Sequence, residues 1–191
     1  MDWLQTAQAI RATKLQLAQV DPRGGMPLAP PAGAEPRAIA AVERRFGRSL
    51  SASYRAFLAT HDGWPQLLSG ATLLGCRPLC RGTYEGIATL VLEEAMASWD
   101  LGPTARLVPF GIDARAETVF AFVVSDAPPA GDELPVVVWA NEVAELVDGF
   151  PAFLALVLEL LVADLDDRRR RVHRARFAHG MPRLADLGLL P

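Results

Sequence analysis

Apolar positions between residues 35 and 64 follow a helical rhythm. Ile39, Val42 and Phe46 fall at i, i+3 and i+7, which places them on one face of a helix. Gly47 follows as a stop, because glycine enters the left-handed conformation beyond a helix end without steric penalty. Tyr54, Phe57 and Leu58 resume the spacing after a short link, and His61-Asp62-Gly63 closes this second helix. Upstream, Asp2 is placed to cap a first helix reaching about Gln19, with Trp3, Ala7, Ile10 and Leu17 on its stripe. The intervening DPRGGMPLAPPAGAEP, rich in proline and glycine, reads as a loop.

Past Trp64 the pattern changes. Ala71–Leu74 reads as a short strand, and Cys76–Gly86 as a loop. Thr89 opens a helix reaching Trp99, with Leu92, Met96 and Trp99 on one face. Arg106–Phe110, Thr118–Val124 and Leu134–Trp139 read as strands, with Glu142–Val147 as a brief edge strand. The loop SDAPPAGDE (Ser125–Glu133) joins two of them, and so short a connection favours antiparallel pairing. A long helix starts at Asp148 or Gly149, with Pro151 in its first turn, where a missing N–H costs little. Phe153, Leu156, Val157, Leu160 and Leu161 are expected to face the sheet. The fold class expected is α+β: a mixed or antiparallel sheet of about four to six strands flanked by helices.

Charge refines this picture. Net charge is −3 at pH 7, which excludes a globally basic nucleic-acid binder. Residues 164–191 hold seven Arg against four Asp, whereas residues 1–163 hold twelve basic against eighteen acidic groups. The main body is therefore mildly acidic and suits a basic partner, although ordinary solubility explains it equally simply. The run Arg168–Arg171 with Arg174 and Arg176 could grip phosphate. The plainer reading is a solvated helix end, with Asp164–Arg168 and Asp167–Arg171 as i,i+4 pairs.

Reactive groups are sparse. His61-Asp62 are neighbours in a helix-ending turn with no nucleophile beside them in sequence, so capping is expected before catalysis. Cys76 and Cys80 form a C-x3-C pair without the C-x-x-C setting that activates thiols, and free thiols are expected. No metal-ligand spacing or phosphate-cradling glycine loop occurs, so neither cofactor nor metal is expected. The N-terminal MDWLQTAQAIRATK has no basic stretch followed by an apolar run, so no signal peptide is expected. The apolar helix near Phe150–Ala163 carries Glu159 and is too short to cross a bilayer.

The stretch 35–64 resembles the SMI1/KNR4 family, also called the SUKH superfamily. The features are Glu43, Gly47, Leu50-Ser51, Tyr54-Arg55-Ala56-Phe57-Leu58 and Asp62-Gly63-Trp64. Ser51 stands where the family usually has Pro, and Asp62 where Asn is common. Downstream, Val108-Pro109-Phe110-Gly111 is similar to the family's strand before its central hairpin, and Val136–Trp139 to the return strand. Gly149-Phe150-Pro151-Ala152-Phe153-Leu154 is similar to its closing helix start. On this basis the chain divides into an N-terminal helix (1–20), a loop (21–34), an SMI1/KNR4-like domain (35–163) and a charged helical extension with tail (164–191).

The resemblance implies a protein that works by binding and shares no catalytic residue. Bacterial members are largely immunity proteins that block a cognate polymorphic toxin, often a nuclease or another enzyme. The function expected is therefore a cytoplasmic, non-catalytic immunity protein that occludes its toxin. The alternative is a regulatory or scaffold protein that binds an enzyme or nucleic acid through the Arg-rich helix. The partner-facing residues expected are the acidic Asp126, Asp132, Glu133, Glu142 and Glu145, with Trp64 as an aromatic anchor.

Overall fold

The structure, a computed structural model, describes residues 2–22, 27–68, 70–86, 105–125, 133–140 and 143–180, with side chains as far as Val172. Helix α1 spans Trp3–Val20, and the Asp2 carboxylate accepts the Leu4 N–H at 3.0 Å. Its apolar stripe buries Ala7 and Ile10. Helix α2 (Pro36–Phe46) starts on a proline and stops at Gly47, whose φ of 71° is the left-handed conformation expected there. Helix α3 (Ala52–Thr60) follows and closes when the His61 N–H donates to Phe57 O.

A six-stranded antiparallel sheet comes next: β1 (Trp64–Leu68), β2 (Ala71–Leu73), β3 (Arg106–Ile112), β4 (Thr118–Val124), β5 (Val136–Ala140) and β6 (Val143–Val147). Strand order follows chain order throughout. Helix α4 (Cys76–Arg81) lies between β2 and β3 in sequence and packs against α2. Helix α5 (Phe150–Gly180) closes the fold and packs along α1.

Strand β3 bends where its ladder to β4 shifts register between Pro109 and Gly111. Pro109 donates no N–H to the ladder. Gly111 is required by space, since a Cβ there would lie 2.5 Å from the Phe120 ring. The Val-Pro-Phe-Gly motif thus turns the strand and aims Phe110 inward. Phe110 stacks on Phe122 with centroids 4.1 Å apart, and Tyr54 of α3 lies 4.8 Å from the Phe122 ring and 5.0 Å from that of Phe150. Phe153 of α5 meets Phe120 at 4.8 Å. One face of the sheet is therefore bonded to α3 and α5 by aromatic contact, each such pair contributing about 0.5–1.5 kcal/mol beyond its buried area.

Several expectations need correction. Cys76–Arg81 is a helix rather than a loop, and Trp64–Leu68 forms a strand that the sequence pattern did not announce. Leu160 is 44% exposed instead of facing the sheet. The buried stripe of α5 runs through Phe150, Leu154, Val157, Leu161 and Leu165, and Leu160 sits about a quarter-turn off it. The helix expected over Thr89–Trp99 and most of the loop Ser125–Glu133 lie outside the described residues.

Candidate functional site

The groups with chemical potential are held by their surroundings. Asp62 Oδ1 accepts the Cys76 N–H at 2.6 Å, so the carboxylate caps the short helix α4 from outside. Gly75 makes this approach possible, because a Cβ there would lie 2.5 Å from Asp62 O. His61 packs its ring on Phe57 and Trp64, at centroid distances of 5.8 and 6.2 Å, and burial lowers its pKa. The two residues are thus engaged in different directions. Burial, then the negative charge of Asp62, pushes the Cys76 thiol up to about 12. Such a thiol carries almost no thiolate at neutral pH. Both cysteines are free.

Among the described residues, no group of three or more His, Cys, Asp or Glu is placed to hold a metal ion. Likewise, no described helix is long and apolar enough to cross a membrane.

The Arg-rich end of α5 is also occupied. Arg168 bonds Asp164 at 2.9 Å and reaches Asp21, just past α1, at 2.9 Å. Arg169 donates to Gln16 Oε1 at 2.9 Å, and Arg171 pairs with Asp167. These arginines fasten α5 to α1 and to its own aspartates. Lys14 of α1, the sole lysine, donates to the backbone oxygens of Gln66 and Leu67. It grips β1 at an irregularity where Gln66 has φ 51°. Burial lowers the Lys14 pKa.

A model of the SMI1 / KNR4 family (SUKH-1) matches residues 33–156, about two thirds of the chain. The chain belongs to the SMI1/KNR4 family.

No protein with a curated description matches it. The SMI1/KNR4 signature acquires a physical reading here. Glu43 accepts the Leu50 N–H at 3.0 Å and pairs with Arg55, so it ties α2, the link and α3 together. Gly63, at φ 92°, lets the turn press on β2, where a Cβ would lie 2.6 Å from Leu73 O.

The residues expected to meet a partner separate into three groups. Trp64 is 2% exposed and packs in the core, so its ring supports the fold from inside and offers no surface anchor. Glu133 accepts from the Ser53 N–H at 3.3 Å and the Ser53 hydroxyl at 2.7 Å. It thereby satisfies the N-terminus of α3 from 80 residues away in sequence. Glu145 is exposed at the middle of β6, opposite Val138. Asp126, Asp132 and Glu142 lie outside the described residues. Around Glu145, Val143 is 68% and Leu146 46% exposed. Strand β6 ends the sheet and pairs in unbroken register with β5 from Val136↔Val147 to Ala140↔Val143. By strand alternation Val143 and Glu145 share one face of this edge strand and Leu146 lies on the other.

Proposed function

We propose that the chain is a non-catalytic, cytoplasmic immunity protein that binds a cognate bacterial polymorphic toxin and neutralises it by occlusion. Family membership carries this reading. The engagement of Asp62, Cys76 and Arg168 in structural contacts supports it, because those side chains are spent on the fold. The contact surface proposed is the β5–β6 end of the sheet. Glu145, with Asp126, Asp132 and Glu142 of the neighbouring sequence, would steer a basic toxin surface, and exposed Val143 on the same face as Glu145 would be covered by it.

Where the neighbouring gene encodes a large secreted protein with a variable C-terminal domain, co-expression with that domain is the direct test. Growth should be restored and the two proteins should co-purify. Glu145→Lys should weaken the complex by at least about tenfold, since it sets like charge against like. No rescue together with no co-purification would sink the reading. The scaffold alternative, acting through the Arg-rich helix, meets a specific obstacle: Arg168, Arg169 and Arg171 already bond side chains of this same chain.

A further inference from the structure

Among the described residues, the helices leave the last strand of the sheet exposed. Phe120 pairs with Val138, and Val138 with Glu145, so these three side chains leave the same face. Phe120 meets Phe153 of α5, which makes that face the one α5 covers. Val143 shares it, two residues from Glu145. Helix α1 lies on the β1 side of α5, because Lys14 bonds β1 while α5 contacts β4 and β5. Arg169 of α5 reaches Gln16 of α1. Leu160 comes nine residues earlier, half a turn round the helix, so Leu160 and Leu156 stand on the flank turned toward β6. Leu160 is 44% and Val143 68% exposed, and Leu156 is half-buried. Phe153 stands at the row Phe120–Val138–Glu145, and Leu156, about 4.5 Å further along α5, comes toward the row Thr118–Ala140–Val143. Floor and wall thus form an apolar shelf. Glu145 on the floor and Glu159, three residues from Leu156, are both exposed and have no ion-pair partner among the described residues.

We propose that this shelf docks a basic amphipathic helix of the partner, laid beside α5 as a further member of the helical layer. Helices pack about 8–10 Å apart and strands lie about 4.8 Å apart, so a helix beside one that covers β4 and β5 comes to rest over β6. Its apolar stripe covers Val143, Leu156 and Leu160, and lysines or arginines on its margins pair with Glu145 and Glu159. A symmetric pair of this chain would set the same acids against one another, which disfavours a second copy as occupant. The proposal rests on the toxin-binding reading in assigning the helix to the toxin, and adds the element and the face by which it is held.

The probe is a fluorescein-labelled peptide of four Leu-Lys-Lys-Leu repeats, whose leucines fall on one helical face. Anisotropy reads its binding to the full chain. Binding should saturate, and circular dichroism should show the peptide gaining helix. Val143→Ser with Leu160→Ser should weaken it by at least about tenfold, as should Glu145→Lys with Glu159→Lys. Leu146→Ser, on the opposite face of β6, should leave affinity within about twofold. The proposal is overturned by no saturable binding, or by equal binding of a peptide of the same composition whose leucines are scattered round the helix. A loss in Leu146→Ser equal to that in the shelf pair overturns it too. So does a free chain that sediments as a dimer and is returned to monomer by Val143→Ser with Leu160→Ser, since a second copy then holds the shelf. The toxin domain separates this proposal from the broader reading. If it is neutralised and co-purifies undiminished with the Val143→Ser, Leu160→Ser chain, the helix docking is overturned and the immunity reading stands. If the peptide binds the shelf but no toxin is neutralised, the shelf stands and its assignment to a toxin is overturned.

Discussion

Glu133 and Cys76 show how single residues that look available in the sequence are committed in three dimensions. Glu133 stands at the end of an acidic loop and reads as one solvated charge among several. In the fold its carboxylate holds the Ser53 N–H and hydroxyl, and its Cβ presses on Gly149, where an added Cβ would lie 2.7 Å away. Glu133→Ala should cost about 1–3 kcal/mol, read as a lower urea midpoint, because the start of α3 loses its acceptor.

Cys76 makes a different prediction. In the unfolded chain the thiol ionises near 9.0, while the folded one keeps its proton to about 12. Its contribution to stability is therefore full below about pH 9 and is lost as pH rises toward 12, since only the unfolded chain sheds the proton there. Urea midpoints between about pH 8 and pH 10.5 should fall, and less steeply in Cys76→Ala. At about pH 8 a disulfide reagent should modify Cys80 at least about tenfold faster than Cys76.

At the scale of elements, legibility tracks whether an element is stabilised by its own sequence or by a neighbour. The α2–α3 pair is legible because Ile39, Val42, Phe46, Tyr54, Phe57 and Leu58 declare the buried face by spacing alone. Strands β3 to β6 are legible by their β-branched and aromatic runs. Helix α4 is not: six residues containing Pro78 have little helical tendency, and what starts the helix is the carboxylate of Asp62, fourteen positions upstream of Cys76. Strand β1 hides for a similar reason, since its irregularity at Gln66 is held open by Lys14 from α1. Asp62→Ala should therefore act on α4, raising amide exchange across 76–81 well above that of α2.

The docking of α1 is testable in the same way. Ile10 is fully buried, and Ile10→Ala should destabilise by about 2–5 kcal/mol in chemical denaturation. A double-mutant cycle on Asp21 and Arg168 should give under about 1 kcal/mol, because both side chains are about 40% exposed. The apolar face thus contributes more than the ion pair to holding α1 in place.

Across the whole molecule, the candidate surfaces were less legible than the fold. Glu145 is named by the sequence and stands exposed on β6. The contiguous run that drew the eye, Arg168–Arg171, is instead largely spent on holding α5 to α1 and to its own aspartates.

The pairing of α1 with α5 also bears on how the molecule is made. Because each strand pairs with the next in the chain, β1–β2 and β3 to β6 can grow one hairpin at a time, and only the closure between β2 and β3, across residues 74–105, is long. Helix α1 waits longer still. It leaves the ribosome well before α5, the helix it packs along. Protease protection of chains arrested before residue 150 should thus appear in the sheet while α1 is still cut. A helix made ahead of the sheet is thus secured only after it.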